Sequence, residues 1–389
     1  MRMPKWFSRD VLLLSLSAFF ADAGYQALIA GLPLFLVLYL KAPVYFFGII
    51  MAFAYGGGSL FAYVGGKASE KYGKKRIALL GNLLIPILSL SGLAASAAEA
   101  GALFSGGWYA RNFRTPARRA MLGDITKKQY KGRVYGFLNA LDIGGGLIAV
   151  TYLSFAMLYG IRISTVFIYT AVPILISSLC LALVHYKGVS RITHAVNTAK
   201  KRIGAAVGRA KTYRAVIIAT GIYGLSFYSV SFPVLTIAQR SGSVAGVASY
   251  AIFLVSSAVF GYIVGARIRR VVRGLTFLGY ALAGVGSIVI GIAYAYSLGM
   301  IASYAGMLLI GMAAGAIETF EPTIISDVRQ RARSGSGMGA LTSSRSIGLF
   351  FANLVVGFLY AIGPLYSYSI MGAFAFVAAA VLFLFGREP

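Results

Sequence analysis

The chain carries, between two long apolar stretches, the segment Gly65-Gly66-Lys67-Ala68-Ser69-Glu70-Lys71-Tyr72-Gly73-Lys74-Lys75-Arg76. Upstream runs an apolar stretch over 45–66 and downstream another over 77–97. Each holds about 20 residues, which is what one helical crossing of a bilayer takes. A basic turn joining two such stretches reads as a hairpin of membrane-spanning helices. Gly73 permits a tight reversal, Glu70 can cap a neighbouring helix N-terminus, and the bases hold the turn on the cytoplasmic side.

Worked outward with the same rule, the chain has spans at 11–39, 45–66, 77–97, 101–117, 134–159 and 164–186, then at 215–238, 244–266, 275–296, 300–325, 337–361 and 366–386. The composition agrees, with 59% apolar and 12% charged residues in 389. A soluble domain carries about 25% charged residues, and disorder needs low hydrophobicity. The net charge of +26 therefore reports sidedness and requires no nucleic acid. With the N-terminus inside, 30 of the 36 bases fall on the cytoplasmic side; Lys41, Arg162 and Arg240 fall outside, and Arg111, Arg114 and Arg345 fall within spans. The expected fold class is an all-α integral membrane protein, N-in/C-in, with twelve transmembrane helices in two pseudo-symmetric six-helix bundles.

The bundles are expected at 1–186 and 215–389, joined by a basic linker at 187–214. In the linker, Val189, Ile192, Val196, Ala199, Ile203 and Ala206 recur at helical spacing, apart from most of its bases. That pattern suits an amphipathic helix on the anionic inner leaflet; a flexible basic linker is the alternative.

The halves repeat. Asp124, Gly132, Gly136 and Gly145 recur 203 residues later as Asp327, Gly335, Gly339 and Gly348. Arg111-Asn112-Phe113-Arg114 recurs 207 residues later as Glu318-Thr319-Phe320-Glu321, with the charges inverted, and Asp142 meets Arg345, inverted again. A charge near mid-membrane costs at least about 2.5–3.5 kcal/mol. Asp22, Arg111, Arg114, Asp142, Glu318, Glu321 and Arg345 should therefore face the bundle interior and pair. The simplest pairing sets Arg111 or Arg114 against Asp142, and Glu318 or Glu321 against Arg345. Such pairs either staple helices together or serve substrate recognition and coupling. The belt then sums to four acids and three bases. The unmatched carboxylate can hold a proton, with Asp22 the first candidate and Glu318 the second.

The Gly65–Arg76 segment resembles the signature loop of the major facilitator superfamily, and twelve spans, a basic central linker and repeated halves are similar to the same family. A narrower resemblance, to a prokaryotic subgroup, rests on Arg111-Asn112-Phe113-Arg114-Thr115-Pro116-Ala117-Arg118, then Gly132-Arg133, Asp142, and Asp22 in the first span. The resemblance implies a cytoplasmic gate containing Gly66, Glu70, Gly73, Arg76, Asp124 and Asp327. It also implies a cavity lined by aromatics such as Tyr25, Trp108, Tyr223 and Phe227. The counterpart at Gly265–Gly274 lacks the acid, and Gly144-Gly145-Gly146 lacks the proline of the antiporter motif in span five.

Other signals lead nowhere. Gly335-Ser336-Gly337 follows a basic loop and not a strand, so it is no dinucleotide site. One cysteine, Cys180, makes no disulfide framework or zinc site. No cofactor, metal site or catalytic constellation is expected, so the chain is not read as an enzyme. The functional expectation is a monomeric secondary transporter in the cytoplasmic membrane of a prokaryote. It would move a small organic solute by alternating access, coupled to protons, with efflux the favoured direction. The alternatives are an uncoupled uniporter or importer, and a non-transporting sensor or scaffold on the same fold.

Overall fold

The computed structural model describes residues 7–186, 203–227, 229–328 and 334–388; side chains at 128, 131–132, 203–210, 326–328 and 334–339 are outside the description. The described residues are helical, with no strand among them. In chain order the helices are α1 Arg9–Tyr39, α2 Val44–Tyr72, α3 Lys74–Leu93, α4 Ala97–Ile125, α5 Lys131–Leu158 and α6 Ile163–Ala182. There follow α7, made of Ile203–Ser226 and Ser231–Ser241, α8 Ser243–Arg267, α9 Val271–Ala295, α10 Gly299–Val328, α11 Ser334–Ile362 and α12 Pro364–Phe385.

Eleven of the twelve are long and apolar enough to cross a membrane. The exception is α4, whose interior carries Arg111, Arg114, Arg118 and Arg119. It runs well past residue 117, where its hydropathy falls and the sequence places its end. Its start is fixed locally: Ser96 Oγ accepts from Glu99 N–H at 3.2 Å while the Glu99 carboxylate accepts from Ala95 N–H at 3.0 Å, a reciprocal cap.

The quoted segment is also more regular than a loop. Helix continues from Gly65 to Tyr72 and resumes at Lys74, so the turn is the single residue Gly73 at φ 96°, a backbone conformation that costs glycine little. The link from α11 to α12 is likewise one residue, Gly363. Of the expected amphipathic helix, residues 187–202 lie outside the described residues, and from Ile203 the chain is one helix running into α7.

Two compact units are present. One holds α1–α6 together with Ser243–Ala251 at the start of α8; the other holds α7, the rest of α8, and α9–α12. In the first unit α1 is the buried centre, with Leu14, Ala18, Leu28 and Leu32 inaccessible. Large apolar side chains elsewhere point outward, among them Leu60 at 63%, Ile301 at 83% and Leu384 at 71% exposure. Such a surface suits lipid as the solvent, and helices with internally satisfied backbones are what a bilayer admits.

One repeated glycine pair, Gly145 and Gly348, sits at close crossings. A Cβ on Gly145 would lie 2.2 Å from the Phe19 carbonyl oxygen, so α5 meets α1 backbone to backbone. A Cβ on Gly348 would lie 2.6 Å from the Gly221 carbonyl oxygen, so α11 meets α7 in the same way. Gly65 does this on α2 against Phe113 of α4, and Gly315 on α10 against Ser257 of α8. In lipid, where burying apolar surface gains little, such approaches are a main source of helix association.

Candidate functional site

In the first unit α4 turns Arg111, Arg114 and Arg118 to one side, at spacings of three and four. Arg114 is 1% exposed and Arg118 6%, while Arg111 is half-buried. Each is held differently. Arg114 donates through Nη1 to Asn82 Oδ1 on α3. Asn82 Nδ2 donates onward to Ser178 Oγ at 2.7 Å and Ser177 Oγ at 3.2 Å on α6. Ser177 in turn donates to the Ser17 carbonyl on α1 at 2.5 Å. A neutral relay through four helices therefore carries a buried guanidinium. Arg118 Nη2 lies 3.9 Å from Asp142 Oδ1 on α5, an ion pair without a hydrogen bond. Among the described residues Arg111 has no carboxylate within 4.0 Å; its guanidinium carbon sits 4.7 Å from the Trp108 ring and 5.1 Å from the Tyr25 ring. It also donates to the Tyr25 hydroxyl at 3.3 Å.

Asp22 stands at the middle of α1, 4% exposed, and its Oδ1 accepts no hydrogen bond. The charged groups around it are Asp142, Arg111, Arg118 and Arg114. Asp142 is the carboxylate that faces it. The crossing at Gly145 explains the approach, since Asp22 adjoins Ala23 in that contact and Asp142 lies one turn before the glycine. Near by, Gln26 accepts from Tyr250 at 2.6 Å, on the part of α8 that belongs to this unit.

The second unit builds its counterpart from the opposite sign. Arg345 on α11 donates through Nη1 to Glu318 Oε1 at 2.5 Å and through Nη2 to Glu321 Oε2 on α10. Glu321 is fully buried, and its other oxygen accepts from Tyr280 at 2.7 Å and Thr220 at 3.1 Å. Glu318 is 65% exposed at its side chain. Tyr223 stacks on Tyr280 at 4.8 Å and meets Phe227 at 5.6 Å, just before α7 breaks between Ser226 and Ser231. Asn353 Oδ1 of α11 takes the Ser229 N–H at 2.9 Å there, satisfying backbone that the broken helix frees.

Arg345, expected to pair with Glu318 or Glu321, pairs with both. The expected partner of Asp142 is replaced: Arg118 takes the place of Arg111 or Arg114, because α4 stays helical and brings it inward. Counting Arg118, the belt has four acids and four bases, so no carboxylate is left over by arithmetic. The surplus is local: three guanidiniums face two carboxylates in the first unit, and one faces two in the second.

Of the expected gate residues, Asp124 is held by two side chains outside the set. Lys74 Nζ pairs with Asp124 at 2.5 Å, and Tyr186 donates to the same carboxylate at 2.5 Å. Glu70 and Arg76 are exposed, Gly66 is in α2, and Gly73 is the corner. Asp327 falls in α10, with its side chain outside the description. Trp108 is ringed by Tyr25, Tyr55 and Phe104 at 6.0, 5.0 and 5.9 Å. A separate groove of about 790 Å³ between α1, α5 and α6 is lined by Phe19, Phe20, Ile148, Tyr152 and Tyr169 among others, and carries no charged side chain.

Asn82, Tyr280, Thr220 and Arg118 are the participants that sequence reasoning missed. The signal for the first three was indirect: a guanidinium and a carboxylate at repeat-related places, Arg114 and Glu321, each needed a polar neighbour.

Solved structures share this fold. The nucleoside transporter NupG, in a mutant form, superposes with a TM-score of 0.76 at 12% identity, covering 97% of this chain and 100% of that one. A mutant form of the peptide transporter POT gives 0.79 at 13%, covering 99% and 95%. A D-xylose–proton symporter gives 0.75 at 13%, covering 98% of each. At such identities the likeness speaks to fold alone. The sequence has no match among curated proteins. The family model of the Major Facilitator Superfamily, however, matches residues 14–352, nearly the whole length over which the twelve helices, the repeated glycine crossings and the inverted charge clusters are laid out, and the chain belongs to that superfamily.

Proposed function

We propose that the chain is a proton-coupled secondary transporter of a small organic solute. It lies N-in/C-in in a prokaryotic cytoplasmic membrane and works as a monomer. It works by alternating access, with its halves divided at the 187–214 linker, and the Lys74–Asp124 pair belongs to the cytoplasmic gate. The observation that carries the coupling is Asp22 beside Asp142. Two carboxylates this close in a buried setting repel; one proton turns them into a donor and an acceptor. Arg118 then answers the remaining charge. Taking up and releasing that proton changes the local balance by one unit, which is how a proton gradient can act on solute binding. Anionic inner-leaflet lipids would contact the basic linker, and the family supports transport over catalysis.

The test is flux in proteoliposomes under an imposed pH gradient, with the solute chosen by thermal-shift screening of the purified protein. Right-side-out and inside-out populations separate efflux, the direction carried over from the sequence, from uptake. Flux that persists at full rate with the gradient collapsed would identify an uncoupled uniporter. Absence of flux together with capture of a partner would identify a sensor or scaffold.

A further inference from the structure

The transport reading leaves the class of solute open, and α4 bears on it. Three guanidiniums share one side of this helix, and two of them, Arg111 and Arg114, have no carboxylate within 4.0 Å among the described residues. Arg114 is committed to Asn82 and buried. Arg111 is half-buried and makes one weak donation, to Tyr25 at 3.3 Å, while its Nε has no partner. Its guanidinium carbon lies over both the Trp108 and Tyr25 rings, which stand nearly perpendicular to each other with centroids 6.0 Å apart. Apart from the donation to Tyr25 its N–H donors are unspent among the described residues, and the planar fork they form suits a two-oxygen acceptor.

We infer that Arg111, cradled by Tyr25 and Trp108, is the binding site for the carboxylate of an apolar organic anion. Net charge favours an anion: three guanidiniums face Asp22 and Asp142, an excess of one positive charge that becomes two when the carboxyl pair takes up its proton. The surroundings select the body of the solute. Trp108 is bounded by Tyr55 and Phe104 as well as Tyr25, so apolar surface adjoins the donors. Arg114 and Arg345 each close a short bond to an amide or carboxylate oxygen, whereas the one bond of Arg111 is the 3.3 Å donation to the Tyr25 hydroxyl. This inference rests on the transport reading and names its substrate class.

The sequence allows a direct readout, because Trp6 and Trp108 are its two tryptophans. In the full-length Trp6→Phe protein, Trp108 fluorescence reports events at Arg111. Cyclohexanecarboxylate is expected to change it saturably, while cyclohexylamine, cyclohexanemethanol and inorganic phosphate do not. Arg111→Gln should weaken the response at least tenfold. Arg111→Lys, which keeps the charge and the fold but loses the planar fork, should weaken it severalfold. An equal response to the amine or alcohol, tighter binding of phosphate, no saturable response to the carboxylate, or unchanged affinity in both variants would each overturn the assignment. Proteoliposome flux separates the two ideas. Carboxylate binding without flux removes the transporter reading and keeps the site. Flux of a cation or sugar without carboxylate binding removes the site and keeps the transporter.

Discussion

Gly145 and Phe19 meet with no side chain between them: a Cβ on the glycine would fall 2.2 Å from the Phe19 carbonyl oxygen. The contact sets the distance between α5 and α1, and through it the approach of Asp142 to Asp22. Gly145→Ala should therefore force the helices apart and cost about 1–3 kcal/mol by overpacking. Gly348→Ala, its repeat partner at the α11–α7 crossing, should cost a similar amount. Gly136→Ala is the control, since a Cβ there meets nothing within 4 Å. Melting of the purified protein in detergent checks all three, and a control variant that falls as far as the other two would contradict the argument.

The second unit's ion cluster should respond unequally to its two acids. Glu321 is fully buried and Glu318 is 65% exposed. Glu321→Gln leaves Arg345 with an exposed partner and should destabilise by about 3–5 kcal/mol, the usual cost of breaking a buried pair. Glu318→Gln should cost less than about 1 kcal/mol, as exposed pairs do. Comparable losses from the two in thermal unfolding would show that burial does not rank them.

Asn82 should matter more than a neutral side chain usually does. It is the acceptor for Arg114, and Asn82→Leu strands that guanidinium at a cost of about 1–3 kcal/mol or more. Asn82→Asp restores an acceptor and adds a counter-charge, so it should melt closer to the parent than the leucine variant. The opposite order would mean that Arg114 relies on other groups.

Asp22→Asn and Asp142→Asn each remove one carboxyl of the pair that we assign to proton carriage. Flux driven by a pH gradient should drop to the level of empty vesicles in either variant, while solute counterflow, which needs no net proton movement, should continue. Gradient-driven flux at the parent rate in both variants would sink the coupling assignment.

Much of the architecture is readable from the residue string because lipid imposes a simple rule: apolar stretches of a set length, joined by charged turns. The same rule misplaces the end of α4. Hydropathy falls at Arg118, yet that arginine remains in helix and inside, 6% exposed, because Asp142 receives it. Pairing between helices depends on rotation about each axis, which a linear pattern does not encode; hence Asp142 finds Arg118 in place of Arg111 or Arg114. Inversion of charge between the halves, by contrast, is visible at once by alignment of 111–114 with 318–321. The neutral partners were opaque for another reason. Asn82, Thr220 and Tyr280 are ordinary members of apolar helices until a charge is set beside them.

The one-residue links also have a mechanical side. With Gly73 alone between them, the ends of α2 and α3 stay within about 7 Å of each other along the chain. A helix that slid one full turn past its neighbour would travel about 5.4 Å, nearly all of that allowance. Each such pair, α2 with α3 and α11 with α12, can tilt or swing but has almost no slip. Motion in this protein should thus be carried by hairpins acting as jointed levers, so that a displacement at one helix is delivered to its tethered neighbour nearly undiminished.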